Sequence, residues 1–422
     1  MHKKVILFLG SLALVLSACQ GATPSPQTTA PPTSGSSPAA ATAEEASSES
    51  PIVFPKIDWN PMPMNFQRGK LAAIPAYDPD SQDPFKMDLR SYDLSGLDLR
   101  DSLDDLLFAS FDDRTIWPSI DKMPEGFDPL QFAELGKNPG LNLRSLHQKG
   151  ITGRGIGVAI IDQRLLVGHR EYGSRLRLYE ETEEVNGQAS MHGPAVASIA
   201  VGSTVGVAPE ADLYFIANAL CNRGDFACLA KSIDRIIEIN RQLPAERKIR
   251  VLSMSIGWGP ESAGYDEITA SVHAASDAGI FIICSSERDI YGFQFHGLGR
   301  LPTADPDDAN SYEPGSWWAK YFYDAQTLSN TLLVPMDSRT TASPTGTDEY
   351  VFYREGGWSW SIPYIAGVYA LAAQANPDIT PDLFWSTALR TGRTIEITHE
   401  NQEYSFGVIM DPVALIHALQ DA

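Results

Sequence analysis

Gly157-Val158-Ala159-Ile160-Ile161-Asp162 is a short apolar run that ends in an acid. Apolar at each position between a glycine and a carboxylate, it reads as a strand buried on both faces. The pattern then alternates. Ala195 to Val201 reads as a helix of small residues, and Ala211 to Ile216 as a strand. Ala230 to Asn240 sets Ile233, Ile236, Ile237 and Ile239 on a helical face, and Arg250 to Ser255 is again a strand. Tyr265 to Ala278 is helical, and Gly279 to Cys284 is a further strand. Such alternation predicts an α/β fold in three layers, with a mostly parallel central sheet flanked by helices. Active sites of such sheets sit beyond the carboxyl ends of the strands. Asp162 and Ser255 fall at two such ends.

Outward from this region the composition changes. Lys3 and Lys4 precede an apolar run from Val5 to Leu16, followed by Leu16-Ser17-Ala18-Cys19. A positive head, an apolar core and small residues before a cut describe a signal peptide over residues 1–18. The apolar core is much shorter than the roughly 20 residues of a membrane-spanning helix. The Cys19 thiol and the new amino terminus are positioned to carry two lipid anchors, which together hold a protein stably at a membrane. This box resembles a bacterial lipoprotein signal and implies an extracytoplasmic, membrane-anchored protein. Residues 19–50 hold the cysteine and a stretch of mostly Ala, Pro, Thr, Ser and Glu, which reads as a disordered tether. Residues 51–145 are rich in Pro, Asp, Leu and aromatics and read as an ordered extension or a propeptide.

The formal net charge of -21 argues against a nucleic-acid partner, because such binding draws on clustered Lys and Arg. Of the four cysteines, Cys221 and Cys228 flank a polar stretch and suit a small disulfide in an oxidising compartment. Cys284 ends an apolar run and reads as a buried thiol. Gly153-Arg154-Gly155-Ile156-Gly157 precedes its strand, the wrong side for a dinucleotide-binding turn. Asp305, Asp307 and Asp308 cluster within residues 288–321, a stretch rich in Gly that reads as a surface insertion. They lack a recognised metal-ligand spacing and read as a solvated acidic loop; structural calcium stays open, and no other metal or cofactor is indicated.

Three blocks carry the chemistry. The first is Gly155 to Asp162, with His169 downstream; the second is Met191-His192-Gly193-Pro194-Ala195-Val196-Ala197-Ser198-Ile199. The third is Gly357-Trp358-Ser359-Trp360-Ser361-Ile362-Pro363-Tyr364-Ile365-Ala366-Gly367. In this order, Asp then His then Ser, they resemble the subtilisin-like (subtilase, S8-type) serine peptidases from about Leu146 to Arg390. The resemblance implies a catalytic set of Asp162, His192 and Ser359, and a peptidase domain over residues 146–400. Residues 401–422 would add a strand and a helix. His169 is expected to pack locally. Ser253-Met254-Ser255-Ile256-Gly257 resembles the family's substrate strand, so Ser255, Ile256 and Gly257 would pair with an extended peptide. Pro344 lies in a loop expected to shape the cleft.

The chain departs from the family after the strand that begins at Gly279. Ser285-Ser286-Glu287-Arg288 stands where the family has Ala-Ala-Gly-Asn. The Asn donates to the oxyanion, and losing such a donor costs roughly 10²–10³ in turnover. Arg288, Ser285 and Ser286 are the candidate replacements. Trp360 replaces a Met beside the nucleophile. The resemblance therefore implies a serine endopeptidase acting on peptides or proteins outside the cytoplasm. The alternative is a catalytically degenerate relative that binds peptides or serves as a scaffold.

Overall fold

In the computed structural model, Gly157–Asp162 lies in the interior of a six-stranded sheet. The spatial order is Lys56–Ile57, Leu176–Glu181, Asp212–Ala217, Gly157–Asp162, Ile249–Ser253, Phe281–Ile283. Every pairing in it is parallel. Residues 52–79, 87–182, 187–218, 225–325, 328 and 330–421 are described. The signal peptide, Cys19, the tether and Cys221 lie outside the described residues.

The side-chain alternation of the central strand builds the three layers. Val158 and Ile160 point into a core shared with the helices His192–Val201 and Trp358–Ala375. Ala159 and Ile161 point the other way, onto Ala227–Gln242 and Tyr265–Asp277 through Ile233, Ile236, Ile268 and Val272. Successive residues of a strand face opposite sides, which is why this run is apolar at each position. Small residues bring the first two helices together. A Cβ on Gly367 would sit 2.5 Å from the Cβ of Val207 and 3.1 Å from the Ala200 carbonyl oxygen.

Residues 288–321 differ from expectation. They are not a surface insertion, because Gln294–Arg300 is an inner strand of a second, five-stranded sheet. It pairs parallel with Thr331–Pro335 and antiparallel with Tyr312–Pro314. The glycines that suggested a loop permit close packing instead. A Cβ on Gly297 would overlap Met336, and one on Gly299 would lie 2.9 Å from the Pro314 carbonyl oxygen. Arg393–His399 and Gln402–Ile409 complete this sheet as a hairpin. The closing helix, Pro412–Gln420, is capped by the Asp411 carboxylate at Ala414 N.

The N-terminal segment is built into the fold. Its Phe111–Asp112 is the third strand of an antiparallel sheet with Arg339–Ala342 and Tyr350–Tyr353. Met87, Leu89, Leu94, Leu106, Phe111 and Phe132 form a core with Phe352. Leu103–Leu106 is a short helix within this segment. Among the described residues no helix is long and apolar enough to cross a membrane.

Candidate active site

Asp162 closes the central strand, so the sheet delivers its carboxylate to the carboxyl edge. Its Oδ1 accepts the backbone N–H of Gln163 at 2.7 Å. His192 opens its helix, directly opposite. Gly193 makes that approach possible, since a Cβ there would collide with the Gln163 carbonyl oxygen and stand 2.8 Å from that of Arg164. As a result His192 Nδ1 donates to Asp162 Oδ1 at 2.6 Å. The carboxylate is almost fully covered, at 6% exposure, and the imidazole is 24% exposed. Burial pushes the imidazole pKa down. The charge and hydrogen bond of Asp162 more than offset this, so His192 titrates above its ordinary value.

Ser359 is the second residue of the helix Trp358–Ala375. At that position a backbone N–H has no intrahelical partner and is free to face an oxyanion. The neighbouring Trp360 meets the His192 ring edge-to-face, with centroids 5.5 Å apart. The Ser359 carbonyl accepts the Ser255 hydroxyl at 3.1 Å, which ties the serine helix to the proposed substrate strand. Among the described residues no hydrogen bond joins the Ser359 hydroxyl to His192 Nε2. In ligand-free enzymes that bond is often long and tightens when substrate binds.

The other candidates separate. Ile256 uses both backbone groups internally, donating to Met254 O at 2.8 Å and accepting from Ser285 N at 2.9 Å. Its backbone is therefore not available to pair with a peptide, whereas among the described residues no backbone hydrogen bond engages Ser255 or Gly257. A Cβ on Gly257 would press on Ser285 at 2.9 Å. Ser286 is withdrawn as an oxyanion donor, because its buried hydroxyl donates to Trp258 O at 2.7 Å and accepts from Trp258 N at 2.8 Å. Ser285 and Arg288 are both exposed, Arg288 on the short helix Glu287–Ile290. His169 packs locally: it is fully buried, with Nε2 on Glu349 O at 3.0 Å and Nδ1 accepting Glu171 N–H at 3.2 Å.

The Pro344 carbonyl accepts Met64 N–H at 2.8 Å, so the N-terminal segment braces that loop. Asp307 latches a turn, accepting from Asn138 Nδ2 and Asn142 N, each at 2.8 Å. Among the described residues no group of three His, Cys, Asp or Glu side chains is placed to hold a metal ion. Cys228 is disulfide-bonded, and Cys284 is a buried free thiol.

Several residues around the site escaped sequence reading. Trp358, exposed and next to Ser359 in sequence, meets His296 at an oblique angle at 5.5 Å, and the Trp317 indole N–H donates to Gly356 O. Tyr353 meets Trp360 edge-to-face at 5.1 Å. The His296 and Trp317 contacts join parts of the chain far apart in sequence and leave no local signature.

A parallel sheet covered by helices on both faces, with a carboxylate–imidazole pair at its carboxyl edge and the start of the helix Trp358–Ala375 against that imidazole through Trp360, is the architecture of a subtilisin-like hydrolase. The Subtilase family model matches residues 153–407, and the chain belongs to that family. It is a homologue of subtilisin-like serine endopeptidases. The extracellular serine proteinase of Thermus sp. (strain Rt41A) is 26% identical over 245 residues, covering 56% of this chain and 55% of that protein. The chain thus spans about half the length of this curated relative. A solved protease of Pseudoalteromonas arctica PAMC 21717 is similar at 19% identity and TM-score 0.48, covering 69% of this chain and 98% of that one. A solved cold-adapted subtilisin-like serine proteinase is similar at 19% identity and TM-score 0.41, covering 57% and 83%.

Proposed function

We propose that the protein is a serine endopeptidase in which Ser359 is the nucleophile, His192 the proton carrier and Asp162 the group that orients His192. The observation that carries this reading is the 2.6 Å hydrogen bond between His192 Nδ1 and Asp162 Oδ1, with Trp360, the residue after Ser359, edge-on to the His192 ring. With Nδ1 protonated, Nε2 holds a lone pair able to take the Ser359 proton. The alkoxide oxygen attacks the peptide carbonyl, and the Ser359 N–H faces the resulting oxyanion. His192 returns the proton to the leaving amine. Water then repeats the sequence on the acyl-enzyme and frees the acid. Protein groups carry each step, so the reaction needs no cofactor. Ser255 and Gly257 hold the peptide in extended form through their backbones.

The exposed donors Arg288 and Ser285 are the remaining side-chain candidates for the oxyanion. The substrates are peptides or proteins outside the cytoplasm, reached by a chain exported on residues 1–18 and anchored by lipid at Cys19. The test is cleavage of an unfolded protein by wild type, Ser359→Ala and His192→Ala. The wild type cleaves and both variants lose activity if the reading holds; equal cleavage by all three overturns it. A second reading, a degenerate peptide-binding relative, is favoured by Arg288 standing in place of Asn. It expects peptide binding by the wild type without turnover.

A further inference from the structure

The N-terminal segment reaches the proposed active site through one side chain. Arg90 is clamped by Asp88 in a two-point ion pair, Nε to Oδ1 at 2.7 Å and Nη2 to Oδ2 at 2.8 Å. A second cation, Arg68, holds Asp88 Oδ2 at 2.8 Å, and Phe66 lies under both guanidinium groups. A bidentate pair of this kind fixes direction as well as distance. The remaining face of Arg90 is turned toward the site. Its Nη1 donates to the Tyr353 hydroxyl at 3.0 Å and touches Met191 Sδ at 3.8 Å, while its guanidinium lies 5.1 Å from the Tyr353 ring centroid. Tyr353 stands edge-on to Trp360, and Trp360 edge-on to His192. Met191 is the residue immediately before His192.

This chain of contacts answers a mechanical need. One hydrogen bond to Asp162 fixes Nδ1 of His192 but leaves the ring free to pivot about that bond. A second contact on the ring is needed to aim Nε2, and Trp360 supplies it. Trp360 is itself held by Tyr353, whose ring and hydroxyl are both engaged by Arg90. Edge-to-face aromatic pairs have preferred geometry and transmit such constraint. The segment N-terminal to Arg90 makes a second attachment to the chain leading into His192. Met62 O accepts Ala189 N–H at 2.8 Å, three residues before His192.

We propose that Arg90 is a positioning residue that aims the His192 imidazole through Tyr353, Trp360 and Met191, so the N-terminal segment is a working wall of the site and not a removable propeptide. The functional consequence rests on the protease reading; the effect on the imidazole does not. The test uses the full chain with Arg90→Met, Arg90→Lys and Tyr353→Phe. The first readout is the His192 ring resonance in NMR, assigned with His192→Asn. The second is the rate of labelling by a fluorophosphonate probe.

Arg90→Met should shift and broaden the His192 signal and slow labelling by about tenfold to hundredfold, the range for a small misplacement of a reacting group. Arg90→Lys should recover part of both, and KM for a peptide substrate should stay near wild type. A folded Arg90→Met variant with an unmoved His192 signal overturns the proposal. Should Arg90→Met fail to fold, Tyr353→Phe decides, because it removes only the hydroxyl: a moved signal supports the proposal and an unmoved one overturns it. A wild type that never labels would sink the protease reading, while the His192 signal would still report whether Arg90 reaches it.

Discussion

Replacing Asp162 with Asn isolates the charge of the carboxylate from its hydrogen bond. Both Gln163 N–H and His192 Nδ1 meet the same oxygen, Oδ1. The backbone donor keeps an oxygen at that place in Asn, so Nδ1–H of His192 retains its acceptor and the imidazole keeps its tautomer. What disappears is the attraction between the carboxylate and the imidazolium formed during proton transfer. For charge centres about 4 Å apart at an effective dielectric constant of about 20, that is about 4 kcal/mol. The labelling rate should therefore fall by about 10³. The pH profile supplies an independent check. Burial lowers the His192 pKa and Asp162 raises it above the ordinary value. Without the carboxylate only the lowering influence acts, so the acid limb should move below about 6.5. The assay is the second-order rate of fluorophosphonate labelling across pH 4–9, with melting temperature as a control for folding. A folded variant whose acid limb stays in place or moves up would refute the reasoning.

Two further outcomes follow from buried groups. Glu287 is 1% exposed, and burial holds its carboxyl well above the usual range despite the Cys284 N–H it accepts. A raised carboxyl favours the fold below its unfolded pKa near 4.5, and that contribution is lost as pH climbs through the folded value. Glu287→Gln should therefore melt higher than wild type at alkaline pH, with the gap closing on acidification; a variant that melts lower at alkaline pH contradicts this. Phe111 is 4% exposed and packs on Trp117, Phe127 and Phe352, the last 4.9 Å away across the antiparallel sheet. Phe111→Ala should cost about 3–5 kcal/mol in denaturant unfolding as one cooperative transition. An early, separate transition that spares labelling would show the N-terminal segment to be autonomous.

The central sheet was legible because its strands are apolar on both faces and its helices keep their own period. Gly157–Asp162 and Ala227–Gln242 each declare themselves within one element. Order in the chain also brought Asp162, His192 and Ser359 forward as a set. The misread stretch, 288–321, turned on glycine: Gly297 and Gly299 signalled a loop by composition, whereas their role is to admit Met336 and Pro314. The N-terminal segment was harder for a different reason. Its core closes on Phe352 and its Arg90 on Tyr353, partners more than 200 residues away, so neither pairing has a local period to read.

Locating the covalent adduct tests the account most directly. Wild-type protein treated with a fluorophosphonate is digested, and the modified residue is identified by mass spectrometry. The account expects the phosphonyl group on the Ser359 oxygen and almost none when His192 is replaced by Ala. An adduct on Ser361 or elsewhere, or equal modification without His192, would contradict it.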